Sequence, residues 1–367
     1  MTSRPSLTVD EARTEWDIDR TFLDSCSYGP PPRRGWDALQ SSLDEYRRGA
    51  RPWQGWAGSV QTSRELFAEL VGLPAEWVAT GAAVSQLLAP IAAALPDGAE
   101  VLVPDIEFTS GVYPFAVHTH RGVRVRTAPL ESLAEAVDDS TALVSFSAAQ
   151  SATGEVADTP AIIDRAAEVG ALTVLDGTQA AGWLPLDGAG VDFLAVAGYK
   201  WLCAPRGTAL LTMRPLTSTF TPESVRSRQS EFTSRLTPVA AGWFAAGGAA
   251  SYGMPLQLAD SARAFDISPA WHSWVGMAPA LELLLDVGVD AIHDHDIGLA
   301  NAFRTGLGLD ESNSAIVSVD VPDAGLARLD DAGVRFSVAD GRARFGFHLY
   351  NDGDDVAAAL TALRGTL

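Results

Sequence analysis

The feature that most constrains the fold is a regular alternation of apolar, β-rich runs with helical stretches between residues 77 and 213. Strands buried on both faces are apolar throughout, and parallel strands need long, usually helical crossovers between them. The pattern therefore predicts an α/β unit in which a mostly parallel, seven-stranded sheet is covered by helices. The predicted strands are 77–80, 100–103, 124–127, 142–147, 172–175, 193–197 and 209–213, and the helices between them include 85–94, 110–118 and 159–169.

From about residue 240 the pattern changes to that of a smaller α+β unit. Its predicted helices are 269–287, 290–305 and 354–363, and its predicted short strands are 316–321, 335–338 and 344–347. Before the α/β unit, a helical piece over 10–16 and an extended piece over 21–23 indicate an N-terminal arm. We therefore predict an arm over 1–25 that joins the small domain, a large domain over 26–240 and a small C-terminal domain over 241–367.

Charge and cysteine content limit the partners. A formal charge of −20 argues against nucleic acid or an anionic membrane, since both require clustered positive charge. The two cysteines, Cys26 and Cys203, form no pair or His cluster at metal-ligand spacing, so we expect no metal and a reducing compartment. No signal peptide is visible, and the longest apolar stretch, 87–96, is too short to cross a bilayer. We expect a soluble, cytoplasmic protein with a small-molecule ligand.

Lysine usage supplies the sharpest chemical clue. The chain contains 25 arginines and a single lysine, Lys200. Arginine can replace lysine in salt bridges, but its guanidinium stays protonated and cannot form an imine. A Schiff base would give a chemical reason for the one exception, although an arginine-biased genome could leave one lysine by chance.

Two further segments lie at predicted strand ends. Residues 80–85 (TGAAVS) join a strand to a helix, where free backbone N–H groups and the helix dipole can hold a phosphate; small residues also occur there for packing alone. Asp176 directly follows another strand, where open α/β sheets bind ligands. It could cap a helix or bind a metal, but beside Lys200 it could keep a pyridine nitrogen protonated.

The spacing from Asp176 to Lys200 lets two neighbouring strand ends face one pocket. Lys200 lies in GYKWLCAPRG (198–207), directly after the predicted strand 193–197. A buried lysine is costly unless it is neutral or paired. An imine with pyridoxal phosphate (PLP), or a neutral amine that acts as a base, would remove that cost.

The run DGTQAAG (176–182) followed by GYKWLCAPRG resembles the class V aminotransferase superfamily, over nearly the whole chain. This group includes cysteine desulfurases, kynureninase, isopenicillin-N-epimerase-like proteins and hercynylcysteine-sulfoxide lyases. The resemblance implies the PLP-dependent transferase fold type I and a homodimer with the active site near the interface. It also implies that Lys200 forms the internal aldimine, Asp176 binds the pyridinium, Gln179 lies on the phenolic oxygen side and Phe108 stacks on the ring.

The resemblance also covers positions outside these two motifs. Arg344 matches the arginine that grips the substrate carboxylate, although a surface strand arginine would look the same. Ser151 stands where the family commonly has an Asn near the cofactor oxygen. Trp243 resembles part of a Gly-Trp element that relatives contribute across a dimer interface; the alternative is that Trp243 is an ordinary core residue. The remaining predicted cofactor contacts lie around the phosphate and are Ala83, Val84, Ser85 and Tyr199. At two positions, Ala83 and Ala197, this chain has alanine where relatives often have a hydroxyl-bearing phosphate ligand.

The reaction is less constrained than the cofactor. We expect the substrate amine to displace Lys200, which then removes the Cα proton to give a quinonoid. The run Lys-Trp-Leu-x-x-Pro-Arg-Gly is similar to that of the ergothioneine-pathway C–S lyases, which favours β-elimination. An aminotransferase is the alternative, followed by an epimerase, and a non-enzymatic ligand sensor is disfavoured by the Lys/Asp pair. We expect the chain not to be a persulfide-forming cysteine desulfurase, because no Cys follows Cys203. Cys26 is the alternative nucleophile, since the arm that holds it can approach the active site in relatives, but it is disfavoured.

Overall fold

A seven-stranded sheet forms the centre of the molecule. The structure, a computed structural model, describes residues 6–213, 232, 235–248 and 252–366. Within this part of the chain the strand order is β1-β7-β6-β5-β4-β2-β3, and only β7 runs antiparallel to its neighbours. The predicted mostly parallel sheet is confirmed. Its strands are β1 (Val78–Gly81), β2 (Glu100–Pro104), β3 (Arg124–Ala128), β4 (Thr141–Ser147), β5 (Leu172–Asp176), β6 (Phe193–Ala197) and β7 (Ala209–Thr212).

Helices and short 3-10 turns surround this sheet and a smaller one. The described helices are α1 (Val9–Arg13), α2 (Arg33–Arg48), α3 (Gln54–Leu70), α4 (Val84–Ala94), α5 (Thr109–Ala116), α6 (Leu133–Ala136), α7 (Thr159–Val169), α8 (Trp271–Val287), α9 (Val289–Gly306), α10 (Asp323–Asp331) and α11 (Gly353–Leu363). The 3-10 turns are Ala75–Trp77, Val117–Arg121, Leu130–Ser132, Trp243–Ala245 and Ala262–Phe265. No helix in the described ranges is both long enough and apolar enough to cross a lipid bilayer.

Apart from the edge strand β3, which is partly exposed, the central sheet is buried on both faces, which explains its largely apolar strands. On β6, Leu194 and Val196 join one core cluster, whereas Phe193, Ala195 and Ala197 join the other. Because successive side chains of a strand point to opposite faces, such a strand needs apolar residues at every position.

The smaller sheet is antiparallel and lies beside the N-terminal arm. Its strands β8 (Ile316–Val319), β9 (Ser337–Ala339) and β10 (Arg342–Gly346) follow the order β8-β10-β9. Arm residue Phe22 bridges to Arg335, and Asp24 bridges to Gly346. The predicted division into arm, large domain and small domain stays a prediction.

Several predicted elements have different bounds in the structure, and two of these differences coincide with a long-range contact. The predicted helix over 10–16 ends at Arg13, and the indole of Trp16 donates to the carbonyl of Pro30 at 2.8 Å. The predicted strand over 335–338 begins only at Ser337. Arg335 instead exchanges backbone hydrogen bonds with the arm, from Arg335 N to Thr21 O and from Leu23 N to Arg335 O, both 2.8 Å long.

A fully buried ion pair fixes the edge strand β1. Arg64 on α3 donates through Nη2 to Asp266 Oδ2 at 2.6 Å, and its Nη1 donates to the carbonyl of Val78. Asp266 also accepts from the backbone N–H of Thr80 at 2.7 Å. Arg64 and Asp266 are 2% and 0% exposed, so each charge depends on the other.

Replacing Arg64 with leucine should therefore destabilise the protein strongly. The substitution leaves the Asp266 carboxylate buried without its cation, which costs about 3–5 kcal/mol. Chemical denaturation of the purified variant would measure this loss. Arg64→Leu/Asp266→Leu removes both charges and should recover much of the stability; a single variant as stable as the parent would contradict the assignment.

Candidate active site

The predicted site residues converge at one edge of the central sheet. Asp176 is the last residue of β5, and it pairs in register with Ser147 at the end of β4 and with Ala195 on β6. The chain leaves β6 at Ala197, forms the turn that carries Lys200, and returns through β7. A cavity of about 230 Å³ opens here, and eight predicted residues line it: Ala83, Val84, Phe108, Ser151, Asp176, Gln179, Tyr199 and Lys200.

Lys200 is an almost completely buried amine. Its side chain is 6% exposed, and its Nζ lies 5.4 Å from the centroid of the Phe108 ring. Across the described residues, Lys200 Nζ makes no hydrogen bond or ion pair. Burial lowers the pKa of Lys200 to about 8, partly offset by the charge of Asp176. A substantial fraction of the amine is therefore neutral, and hence nucleophilic, near pH 7–8.

Asp176 is a buried carboxylate close to this amine. Its Oδ1 accepts a hydrogen bond from the backbone N–H of Thr178 at 2.8 Å. Burial raises the pKa of Asp176 to about 6, although the Thr178 hydrogen bonds and Lys200 act in the opposite direction. The carboxylate is thus largely ionised at neutral pH although it is buried.

Gln179 connects three parts of the site. Its Oε1 accepts from the indole of Trp201 at 2.9 Å. Its Nε2 donates to Ser151 Oγ at 2.9 Å and to the carbonyl of Cys26 at 3.1 Å. The arm, the β4 end and the Lys200 turn are therefore held together by one amide.

Arg344, on β10, lies behind Ser151 rather than on the cavity wall. Nη1 donates to Ser151 Oγ at 3.0 Å and to the Ser151 carbonyl, and Nη2 donates to Ser337 Oγ at 3.0 Å. The residue is 7% exposed, and within the described part of the chain no carboxylate pairs with it. A buried guanidinium held only by neutral groups retains its capacity for an anionic ligand.

The N-terminus of α4 forms another wall of the cavity. Ala83 is its N-cap and offers no side-chain hydrogen bond, and the first turn contains no acidic residue. Ser85, predicted as a possible hydroxyl ligand, is only partly buried and does not line the cavity. Arg206 does line it, and its guanidinium stacks on the Tyr199 ring at 4.1 Å from the centroid.

Sequence reasoning missed Glu107, which fixes the neighbourhood of Phe108. The carboxylate accepts from Phe108 N at 2.7 Å, Ser147 N at 2.8 Å, Ser147 Oγ at 2.6 Å and Gln150 Nε2 at 3.1 Å. It thereby ties the start of α5 to the end of β4. Arg206 and Thr178 were also missed; both stood in the quoted motifs, but a motif does not reveal which way a side chain points.

Trp243 lies away from the cavity of this chain. Its ring centroid is 5.0 Å from that of Trp53, and its side chain is 38% exposed. Trp53 in turn stacks on Trp271 at 5.7 Å, which gives an aromatic cluster at the protein surface. A role for Trp243 toward the cofactor stays a prediction.

Comparison with known proteins agrees with this arrangement. The sequence model of the family described as Aminotransferase class-V matches residues 53–322. The uncharacterized aminotransferase YcbU of Bacillus subtilis is 30% identical over 243 residues, which are 64% of this chain and 60% of YcbU. Isopenicillin N epimerase of Amycolatopsis lactamdurans is 35% identical over 170 residues, 41% of this chain and 42% of that protein. The chain thus spans about 60% or less of the length of these relatives.

Solved structures show the same fold at low sequence identity. The complex of the cystine C–S lyase C-DES with its product cysteine persulfide has a TM-score of 0.82 and 20% identity, over 95% of this chain and 98% of that one. A C-DES variant with glycine covalently linked to the PLP cofactor has a TM-score of 0.83 and 20% identity, over 97% and 99%. The cysteine desulfurase CsdA of Escherichia coli has a TM-score of 0.79 and 19% identity, over 97% and 98%.

The architecture is that of the fold-type-I PLP enzymes, as predicted. Within that class the chain belongs to the class-V aminotransferase family, and its cofactor is pyridoxal phosphate.

The expectation that the chain is not a persulfide-forming cysteine desulfurase is wrong as stated. Probable cysteine desulfurases are among its relatives, including that of Methanothermobacter thermautotrophicus at 30% identity over 164 residues, 41% of each chain. The exclusion relied on the absence of a Cys after Cys203 and on a low expectation for Cys26. The relatives overturn it, although Cys26 is buried and burial raises the pKa of its thiol to about 11.

Proposed function

We propose that this protein is a PLP-dependent enzyme that cleaves the Cβ–S bond of a cysteine-type amino acid. The observation that carries the proposal is a buried Lys200 amine, free of ion pairs within the described residues, in one cavity with the buried carboxylate of Asp176. The two groups fit PLP, whose aldehyde requires a primary amine and whose ring nitrogen is favoured in its protonated form by a carboxylate. Relatives named cysteine desulfurases favour sulfur chemistry.

Each cavity residue has a proposed part in holding the cofactor. Lys200 would provide the covalent bond, Asp176 would pair with the ring nitrogen, and Phe108 would stack on the ring. Gln179 and Ser151 would lie on the phenolic oxygen side. The phosphate would be held at the α4 N-terminus, where proposed contacts are the cavity residues Ala83, Val84 and Tyr199. Ser85, which does not line the cavity, could contribute through its backbone N–H in the first turn of α4.

Bound PLP withdraws electrons from the substrate Cα, which makes loss of the Cα proton feasible. Lys200, once displaced by the substrate amine, is placed to accept that proton because burial keeps its pKa near 8. The Cβ–S bond then breaks with its electron pair leaving on sulfur, which takes up a proton. Lys200 would then retake the cofactor and free the enamine, whose imine tautomer water would hydrolyse to pyruvate and ammonia. Arg344 would bind the substrate carboxylate and fix which Cα bond faces Lys200.

An aminotransferase is the second candidate. YcbU, which aligns with 64% of this chain, is named an aminotransferase. That reaction would use the same residues, but the Cβ–S bond would stay intact, and the amino group would remain on the cofactor while a keto acid leaves.

Incubation of the holoenzyme with cysteine, cystine and S-substituted cysteines tests the proposal. Pyruvate with ammonia is the expected result. Alanine with a protein-bound persulfide would identify a desulfurase instead. A loss of cofactor absorbance that a keto acid restores, without pyruvate, would identify an aminotransferase and overturn β-elimination.

Replacing Arg344 with lysine should weaken binding of the substrate carboxylate. Lysine keeps the charge but loses the forked geometry, so we expect KM to rise about 10- to 100-fold with a smaller change in kcat. The amide of the same substrate, which lacks the carboxylate, should show little difference between the two proteins. Arg342→Lys, two residues earlier on β10, is the matched control and should leave KM unchanged. Equal effects on acid and amide would refute the carboxylate role.

We also propose that the protein forms a homodimer. Large side chains exposed on the single chain support this: Trp36, Tyr46, Trp53, Trp243, Tyr252, Met254 and Leu256.

A further inference from the structure

The turn that carries Lys200 is anchored at four successive carbonyls. Those of residues 198–200 accept backbone N–H groups, from Ala204, Gly29 and Cys203, at 3.0, 2.9 and 3.0 Å. The fourth, that of Trp201, accepts instead from a side chain, His348 Nε2, at 2.9 Å. The Cys203 thiol lies 3.9 Å from the same carbonyl, and Gly182 packs so closely against it that a Cβ there would lie 2.6 Å away.

His348 is completely buried, and both of its ring nitrogens face acceptors. Nδ1 lies 2.8 Å from Oδ2 of Asp296, on α9, and Nε2 faces the Trp201 carbonyl. A carbonyl cannot donate, so Nε2 must carry a proton. Burial alone would lower the pKa of His348, but the carboxylate of Asp296 outweighs it and raises the pKa to about 10. The Asp296 carboxylate thus favours the protonated ring, while burial raises the pKa of Asp296 as well.

The segment that bears His348 contacts the Lys200 turn by a second route. Arg344 precedes His348 by four residues and donates to Ser151 Oγ. Ser151 accepts from Gln179, and Gln179 accepts from the indole of Trp201. The two ends of Trp201, carbonyl and indole, are thus connected to one segment, which also holds the guanidinium proposed to bind substrate.

We propose that His348 is a positioning residue: its Nε2–H holds the Trp201 carbonyl and so fixes where the Lys200 amine points. The proposal rests on the proposed role of Lys200 as the cofactor's covalent anchor. His348 does not line the cavity, so it acts through the backbone of the turn rather than on cofactor or substrate.

Two neutral substitutions separate this role from mere packing. In His348→Gln the side-chain amide can reach the position of Nε2 and keep the bond to Trp201. In His348→Asn the shorter amide can replace Nδ1 toward Asp296 but cannot reach Trp201. Both lose the imidazole ring, so both should lose stability in thermal unfolding.

The informative readout is covalent capture of PLP by the apo-protein, followed by absorbance and by borohydride fixation. We expect His348→Asn to slow capture about tenfold or more, and His348→Gln to stay within about twofold of wild type. His295→Gln is the matched control, because His295 is a partly buried histidine of α9 whose Nε2 lies 3.1 Å from a different carbonyl, that of Asn351. It should capture PLP as wild type does.

In His348→Gln the Asp296 carboxylate stays buried without its cationic partner, which could prevent folding. In that case the Gln and Asn variants are compared again, each with Asp296→Asn added. Equal capture rates for the Gln and Asn variants, or a wild-type rate for His348→Asn, would overturn the positioning role. Failure of wild type itself to form the covalent adduct would overturn the proposed function, which distinguishes the two ideas.

Discussion

Lys200→Arg protein should fold normally and yet never form a borohydride-fixed adduct with PLP. Arginine keeps a positive charge at the site, but its guanidinium is not nucleophilic at any accessible pH. Turnover should fall by about 10²–10⁴-fold, the usual contribution of a positioned proton-transfer group, even if PLP binds without a covalent bond. Mass spectrometry of the reduced protein measures the adduct, and the single lysine makes its assignment direct.

The pH dependence of capture provides a check on the same residue. Because burial lowers the pKa of Lys200 to about 8, the neutral amine accumulates at lower pH than in an exposed lysine. The wild-type capture rate should thus rise with pH and reach half of its maximum near pH 8. As a control, Arg206→Lys in the Lys200→Arg background places a lysine elsewhere in the cavity wall and should not restore the adduct. A fixed adduct in Lys200→Arg alone would end the proposal.

Asp176→Asn should separate cofactor attachment from catalysis. Asparagine can still accept the hydrogen bond from Thr178 N, so the fold and the covalent capture by Lys200 should persist. The negative charge that favours a protonated ring nitrogen is lost, and we expect turnover to fall about 10²–10³-fold. Steady-state assay of the PLP-loaded variant measures this loss.

The same substitution should not destabilise the apo-protein at pH 7. The folded-state pKa of Asp176, about 6, lies above the ordinary value, so ionising this carboxylate weakens folding as pH rises between the two. Its removal should leave the unfolding free energy unchanged or raise it by about 1–3 kcal/mol. Asp192→Asn is the control, since Asp192 accepts from Thr173 N at the other end of β5 and should not alter turnover. An active Asp176→Asn enzyme would contradict the ring-nitrogen role.

The fold could be predicted from the sequence because a strand covered on both faces must be apolar at every position, as in β6. The placement of Lys200 and Asp176 in one cavity could be predicted because each lies at or just after the end of a buried strand of the sheet. The end of α1 at Arg13 and the start of β9 at Ser337 could not be predicted. Nearby residues make long-range contacts at these points, Trp16 with Pro30 and Arg335 with the arm. The partnership of His348 with Trp201 joins residues 147 positions apart, and no local pattern signals it.

The expectation about desulfurase activity also failed. It rested on the missing C-terminal cysteine and on a low expectation for Cys26, and relatives named as probable cysteine desulfurases contradict it. Glu107 shows that the sequence also does not reveal long-range hydrogen bonds. Nothing in the sequence around Phe108 indicates that four donors converge on the Glu107 carboxylate.

The antiparallel strand β7 restricts how this enzyme can diversify. The chain passes from Ala197 to Ala209 without a crossover helix, and these two residues pair directly in the sheet. A residue inserted between Ala197 and Ala209 would move the Lys200 amine relative to β5. The helical connections between parallel strands can instead change length at the edge of the sheet that lies away from the cavity. New specificities should thus arise by substitution around a loop of fixed length, with insertions confined to the crossovers.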